Sequence, residues 1–231
     1  MKTTQISSYS HQLTRLGMMN CYLVRESDGF TLIDTTISGS GKDILAVAQS
    51  LGAPIRRILL THAHVDHVGS VDELAERLPG VVVAISERSL PLLQRPADKS
   101  LRPGEPREKI RGGLPGIVTP VTYLVEDGEL FGSLRCIYTP GHIPGHFAFL
   151  DERDGTLYAG DELVAIGRLS ICGSTPWYFP LTTFAMWSRP LVLESARKLL
   201  AYPIQRFACG HGAIRQGGTA ALSAAIAQAA K

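Results

Sequence analysis

The sequence predicts an α+β fold in which two mixed β-sheets pack face to face with helices on the outside. Three observations point to it. Asp-Gly pairs at 28–29, 127–128 and 154–155 each separate strand-like runs, and such pairs supply the positive φ angles that tight hairpins require. Helical periodicity falls between these runs, giving the order hairpin, helix, strand, helix, strand, then hairpins, helix, strand and helix. The two halves have similar make-up within 231 residues, a length that suits one substantial core spanning residues 1–231 and is short for two independent domains.

Taken in order, "NCYLVRESDGFTLIDT" (20–35) is a hairpin turning at Asp28-Gly29. "RRILL" (56–60) and "VVVAI" (81–85) read as short buried strands. In "DHVGSVDELAERL" (66–78), Val68, Val71, Leu74, Ala75 and Leu78 recur at helical spacing, and Pro79-Gly80 stops the helix. Two more hairpins are expected at Asp127-Gly128 and Asp154-Gly155. "SRPLVLESARKLLAYP" (188–203) can start a helix at Ser188 and must end it before Pro203; "IQRFA" (204–208) is a strand. "GGTAALSAAIAQAAK" (217–231) reads as a terminal helix capped by Thr219.

Composition bounds the function. Hydrophobic residues make up 45% and charged residues 19%, which is ordinary globular composition. A formal net charge of +2 is too balanced to indicate a polyanionic partner. The N-terminal stretch has no apolar run of signal-peptide length, and nothing approaches the roughly 20 apolar residues of a membrane span. A cytoplasmic protein with no membrane partner is expected. Cys21, Cys136, Cys172 and Cys209 are scattered without a CxxC pair and read as reduced, buried residues.

Six of the seven histidines lie in short motifs with Gly, Asp or Thr neighbours: "THAHVDHVG" (61–69), "TPGHIPGH" (139–146) and "CGHG" (209–212), with "AGDEL" (159–163) supplying a carboxylate. Each motif follows a strand-like run, and strand ends let a rigid scaffold present side chains to a shared cleft. His62 and His64, two apart, project to one side of an extended backbone, while Asp66 and His67 follow at a helix entrance. Burying so many titratable groups without a cation would be costly. Imidazole nitrogen mixed with carboxylate oxygen suits Zn²⁺ and is compatible with Mn²⁺ or Fe.

These motifs, with "LIDTT" (32–36) upstream, resemble the metallo-β-lactamase-fold hydrolase superfamily over about residues 20 to 213. The resemblance implies a four-layer αββα sandwich with two divalent metal ions between the sheets. It implies that His62, His64 and His142 bind the first ion, that Asp66, His67 and His211 bind the second, and that Asp161 bridges both. Asp34 and His146 match residues that support such a site without binding metal. The implied reaction is attack by an activated water on a small ester, lactone or thioester, with Asp66 orienting the nucleophile and passing a proton.

Departures from individual branches narrow the substrate. Asp161 sits where many true β-lactamases carry cysteine or another residue. Glyoxalase II proteins continue well past the last histidine, whereas 20 residues follow His211 here. The tRNA-processing nucleases carry a histidine motif after the bridging aspartate that "DELVAIGRLSICG" lacks, so nucleic acid is disfavoured as a partner. Quorum-sensing lactonases often place a tyrosine shortly after that aspartate; here the next is Tyr178. The alternative reaction is that of the persulfide dioxygenases, which share the fold and motifs but use one iron.

Two segments carry open readings. Residues 88–120 hold six prolines, and residues 88–111 hold seven Lys or Arg against three Asp or Glu. A solvated loop is the favoured reading and a mobile arm beside the site the alternative. The "PWYFP" cluster, with Trp177, Tyr178 and Phe179, reads either as core or as an apolar wall for a small-molecule substrate. The same surface would also serve as a homodimer contact.

Overall fold

The computed structural model describes residues 1–230. The first half builds a seven-stranded mixed sheet from β1 (Lys2–Gln5), β2 (Ser10–Arg15), β3 (Met19–Glu26), β4 (Gly29–Ile33), β5 (Ile55–Leu59), β6 (Val82–Ser86) and β7 (Tyr123–Val125), in that spatial order. Strands β1 to β4 run antiparallel and β4 to β7 parallel. Helix α1 (Gly41–Ser50) fills the β4–β5 crossover, and α2 (Val65–Val68) and α3 (Val71–Arg77) fill the β5–β6 crossover.

The second half adds β8 (Leu130–Phe131), β9 (Leu134–Tyr138), β10 (Phe147–Asp151), β11 (Thr156–Gly160), β12 (Leu163–Val164), β13 (Ser170–Ile171), α4 (Leu181–Ala185), α5 (Arg189–Leu199), β14 (Arg206–Cys209), β15 (Arg215–Gln216) and α6 (Gly218–Ala229). Its six-stranded mixed sheet has the order β15-β14-β11-β10-β9-β8, while β12 and β13 form a separate pair.

Side-chain alternation along the strands explains the layering. Leu23, Leu32, Ile58 and Val83 pack beneath Ile44 of α1 and Leu74 of α3. Their sequence neighbours Tyr22, Ile33, Leu59 and Ala84 point the other way, onto Phe147, Phe149, Tyr158 and Ala208 of the second sheet. Ala148, Leu150, Leu157 and Phe207 in turn face Val192 and Leu199 of α5 and Leu222 of α6. Strands buried on both faces and helices buried on one give the αββα sandwich expected from the sequence.

Four local expectations change. The Asp127-Gly128 turn is not a hairpin: β7 pairs with β6 in the first sheet and β8 with β9 in the second, so this turn carries the chain between sheets. The helix over 66–78 is two helices, because the His67 carbonyl accepts from the backbone N–H (2.7 Å) and hydroxyl (2.9 Å) of Thr35 instead of continuing the helical ladder. Thr219 lies inside α6, whose N-cap is Gly217. The β1–β2 pair was not expected; β1 is exposed along its length and has no apolar alternation to reveal it.

The 88–120 segment is a largely solvated loop, most of residues 94–113 being exposed, that is anchored to the fold at several points. After two short 3₁₀ turns it runs without regular structure, yet Arg88 is buried against Glu105 (2.6 Å) and Arg95 pairs with Asp72 (2.8 Å). Ile110 joins the core, and the Glu108 carbonyl accepts from Nε1 of Trp187.

Candidate metal centre

Six histidines and three aspartates meet where the two sheets end. Three ring nitrogens converge first: Nε2 of His62 lies 3.1 Å from Nδ1 of His64, which lies 2.9 Å from Nε2 of His142. The opposite nitrogen of each ring has a partner that fixes its tautomer. Nε2–H of His64 donates to the Arg111 carbonyl at 2.9 Å. The Thr61 hydroxyl donates to Asp34, leaving its oxygen to accept from Nδ1–H of His62 at 2.9 Å. Nδ1 of His142 meets the Cys172 sulfur at 3.2 Å, and that thiol donates onward to the Thr182 carbonyl. Three inward lone pairs remain, the donor set of a metal-binding triad.

A second set adjoins the first. Nε2 of His211 lies 3.2 Å from Asp66 and 3.3 Å from Asp161, and Nε2 of His67 lies 3.4 Å from Asp161. The outward nitrogens are again held: Nδ1–H of His67 donates to Asp34 at 2.8 Å and that of His211 to the Met18 carbonyl at 3.1 Å. Asp161 stands between the sets, its Oδ2 3.5 Å from Nε2 of His142 and 3.3 Å from Nε2 of His211. Both groups, His62/His64/His142 and Asp66/His67/Asp161/His211, could hold a metal ion, with ligand atoms within 4.8 Å of one another inside each group. Nε2 of His67 and Oδ1 of Asp161 are buried without a hydrogen-bond partner, so the residues fit a cation rather than a self-satisfied polar core.

The electrostatics differ between the sets. Burial drives His62, His64 and His142 below the usual histidine range and so holds them neutral. For His67 burial pulls the same way, but Asp161, Asp34 and Asp66 outweigh it and hold its proton well above that range. His211 is raised to about 10 because Asp161 and Asp66 outweigh burial. Burial would raise Asp66, yet His67 and His211 bring it down to about 2. The first set offers free lone pairs; the second offers ion pairs whose protons a cation would displace.

His146 is buried but takes no place in either set. Its Nε2 accepts from the Asp161 backbone N–H at 3.2 Å and its Nδ1–H donates to the Thr139 hydroxyl at 2.9 Å, holding the strand end that carries Asp161. Asp34 sits at φ +58°, a left-handed conformation that turns its carboxylate toward Thr61 and His67 together.

A cleft of about 270 Å³ opens over the two sets, lined on its apolar side by Met19, Ile37, Val65, Leu181 and Ala185. Trp177, Tyr178 and Phe179 do not line it. The "PWYFP" segment turns back on itself, Phe179 N–H donating to the Pro176 carbonyl at 2.8 Å. This leaves Trp177 89% and Tyr178 55% exposed while Phe179 is 6% exposed, its ring 5.0 Å from that of His211. The wall is α4, which follows the cluster.

Sequence reasoning missed two participants, and a buried carboxyl next in sequence to Asp161. Cys172 and the Arg111 carbonyl reach their histidines across 30 and 47 residues, separations at which no local pattern signals contact. Glu162 is fully buried with neither carboxyl oxygen bonded, and burial alone pushes its pKa well above the usual range. Its place in "AGDEL" gave no reason to separate it from a solvated residue.

Comparison with known proteins decides the family: the model of the metallo-beta-lactamase superfamily matches residues 14–211. The chain belongs to the metallo-beta-lactamase superfamily. It is 44% identical over 214 residues to the uncharacterized protein YobT of Bacillus subtilis (strain 168), covering 92% of this chain and 91% of that protein. It is 30% identical to a hydroxyacylglutathione hydrolase of Rhodospirillum rubrum, covering 87% of this chain but 65% of the relative. Among solved structures, TTHA1623 in a di-iron-bound form superposes with a TM-score of 0.65 at 31% identity, covering 89% of this chain and 92% of that one. A metallo-beta-lactamase of Cronobacter sakazakii with a HARLDQ motif gives a TM-score of 0.71 at 20% identity over 100% of this chain and 92% of that one, a likeness of fold alone. The superfamily consists of generally hydrolytic metalloenzymes, and the described residues of this chain include His and Asp groups that could hold metal ions. Among the described residues, no helix is long and apolar enough to cross a membrane.

Proposed function

We propose that this metallo-beta-lactamase superfamily member is a dinuclear metallo-hydrolase that cleaves a small ester, lactone or thioester with an apolar part. The observation that carries the reading is the placement of Asp161, whose carboxylate lies within 3.5 Å of both donor sets and keeps one buried oxygen unbonded. In this reading His62, His64 and His142 hold one ion, Asp66, His67 and His211 the other, and Asp161 both. Two divalent cations, zinc first, would supply Lewis acidity toward the carbonyl oxygen and acidify water at neutral pH.

The chain's own residues do the rest. Asp66 has 23% of its side chain exposed, against 4% or less for the other acidic and basic members of its set. It is therefore the more exposed of the two carboxylates that line the cleft, placed to orient the attacking water and carry its proton to the leaving group. Met19, Val65, Leu181 and Ala185 receive the apolar part and exclude water around the reacting carbonyl. The similarity to a hydroxyacylglutathione hydrolase supports including thioesters. Internal pairing of Arg88, Arg95 and Arg102 with Glu105, Asp72 and Glu87 leaves less free charge on the 88–120 arm for a nucleic acid, which supports a small-molecule substrate.

The test is a panel of short- and medium-chain esters, lactones and thioesters assayed with the metal-loaded protein and with Asp66→Asn. Turnover of at least one class, lost by about 10²-fold or more in the variant, supports the reading. No turnover of any class, with oxygen uptake on a persulfide instead, would favour the iron dioxygenase.

A further inference from the structure

His211 sits on the turn Cys209–Gly212 at the end of β14, where regular pairing gives way to isolated backbone contacts: Gly210 N–H donates to the Gly160 carbonyl (2.8 Å) and Ala165 N–H to the His211 carbonyl (2.9 Å), and the rest of the turn is held by the β2–β3 hairpin. We propose that Asn20 is the positioning residue for this turn and, through it, sets the metal affinity of the second donor set independently of the first. The inference rests on the dinuclear reading above.

The geometry is a clamp. Asn20 is fully buried, and its Nδ2 donates to the carbonyls of Cys209 (3.0 Å) and Gly212 (2.7 Å), the two ends of the turn. Its backbone N–H donates to the Gly210 carbonyl between them at 2.9 Å. The amide cannot rotate away, because Oδ1 accepts from Nε2 of Gln12 (2.7 Å) and the Thr14 hydroxyl (2.9 Å). Gln12 also donates to the Gly212 carbonyl at 3.0 Å, and the Tyr22 hydroxyl donates to that of Cys209 at 2.5 Å. Finally the Met18 carbonyl accepts from Nδ1–H of His211, fixing the tautomer that turns Nε2 toward Asp66 and Asp161. The β2–β3 hairpin thus accounts for three backbone carbonyls of the turn and for the ring.

The first set has no such dependence. The outward nitrogens of His62, His64 and His142 are held by Thr61, Arg111 and Cys172, none of which belongs to the hairpin. Removing the Asn20 side chain therefore leaves the first triad preorganised while the turn keeps only its backbone bonds to Gly160, Ala165 and the hairpin, and His211 is held less firmly. Outer partners of metal ligands typically govern 10–100-fold in affinity, about that being expected here.

The experiment is calorimetric titration of the full-length, metal-stripped chain with Zn²⁺, for the wild type, Asn20→Ala and Gln12→Met, with circular dichroism to verify the fold. The wild type takes up two equivalents. Asn20→Ala keeps one at wild-type affinity and binds the other roughly 10–100-fold more weakly; Gln12→Met shifts the same equivalent in the same direction by less. Titration with Co²⁺ gives the same selectivity in its absorption spectrum. Two equivalents of unchanged affinity in both variants, or equal weakening of both equivalents, would overturn the assignment. If Asn20→Ala does not fold, Gln12→Met alone decides between these outcomes. A wild type that takes up fewer than two equivalents overturns the dinuclear reading itself, and the clamp with it.

Discussion

Asp34 and His67 share a buried hydrogen bond, Nδ1 to Oδ2 at 2.8 Å, while the same carboxylate accepts from the Thr61 backbone N–H at 2.8 Å. One side chain therefore fixes the tautomer of a second-set histidine and the start of the strand-loop that carries His62 and His64. Asp34→Asn places an amide donor against Nδ1–H or forces the other tautomer. We expect metal affinity to fall roughly 10–100-fold, read by Zn²⁺ titration.

Gly112 is where the 88–120 segment touches the centre. A Cβ there would lie 2.3 Å from Nε2 of His64, at a φ of +87°. Gly104 has nearly the same φ, +86°, but meets nothing within 4 Å. Both alanine variants carry backbone strain of about 1–3 kcal/mol. Only Gly112→Ala is expected to displace His64 and lower bound metal, measured by elemental analysis beside the Gly104→Ala control.

Cys172 gives His142 its outward partner. Cys172→Ala leaves Nδ1–H of a buried ring without an acceptor, which costs about 1–3 kcal/mol. Cys172→Ser restores an oxygen acceptor. Thermal denaturation and metal retention should both fall in the alanine variant and recover in the serine one.

Asp72 ties the long segment to α3. It accepts from the N–H groups of Val118 (3.0 Å) and Thr119 (2.9 Å) and from the Thr119 hydroxyl (2.7 Å). Burial would raise its pKa, but these bonds and Arg95 outweigh it and the pKa is lowered. Because the folded value lies below the unfolded one, about 3.9, the stabilisation is complete above that pH and lost as the pH falls through the folded value. Asp72→Ala should accelerate hydrogen exchange at the Val118 and Thr119 amides at pH 7. The stability difference from wild type, on the order of 2 kcal/mol, should shrink steadily below pH ~4.

The residues that were legible in the sequence are those whose partners are near in sequence or whose type is chemically distinctive. His62, His64, Asp66 and His67 fall within six positions, and strand ends placed His142, Asp161 and His211 beside them. The layer order was equally readable, because alternation and helical spacing are local properties. What could not be read depends on long-range pairing. Asp127-Gly128 carries the same turn chemistry as Asp28-Gly29 and Asp154-Gly155, and only the strands flanking it, paired in different sheets, distinguish it. Asn20 reaches Cys209 across 189 residues, and its role in holding His211 has no local signature. The aromatic cluster was open between core and pocket wall: Phe179 is buried as core, while a turn at Pro176 leaves Trp177 and Tyr178 exposed and the apolar wall falls to Leu181 and Ala185.

The dinuclear reading requires one metal ion in each of the two preformed donor sets. Elemental analysis of protein purified without chelator tests it most directly. Two equivalents of divalent metal per chain, zinc first, are expected. No metal in folded, freshly prepared protein would contradict that reading, and a single equivalent of iron would move the reaction from hydrolysis to oxygen chemistry.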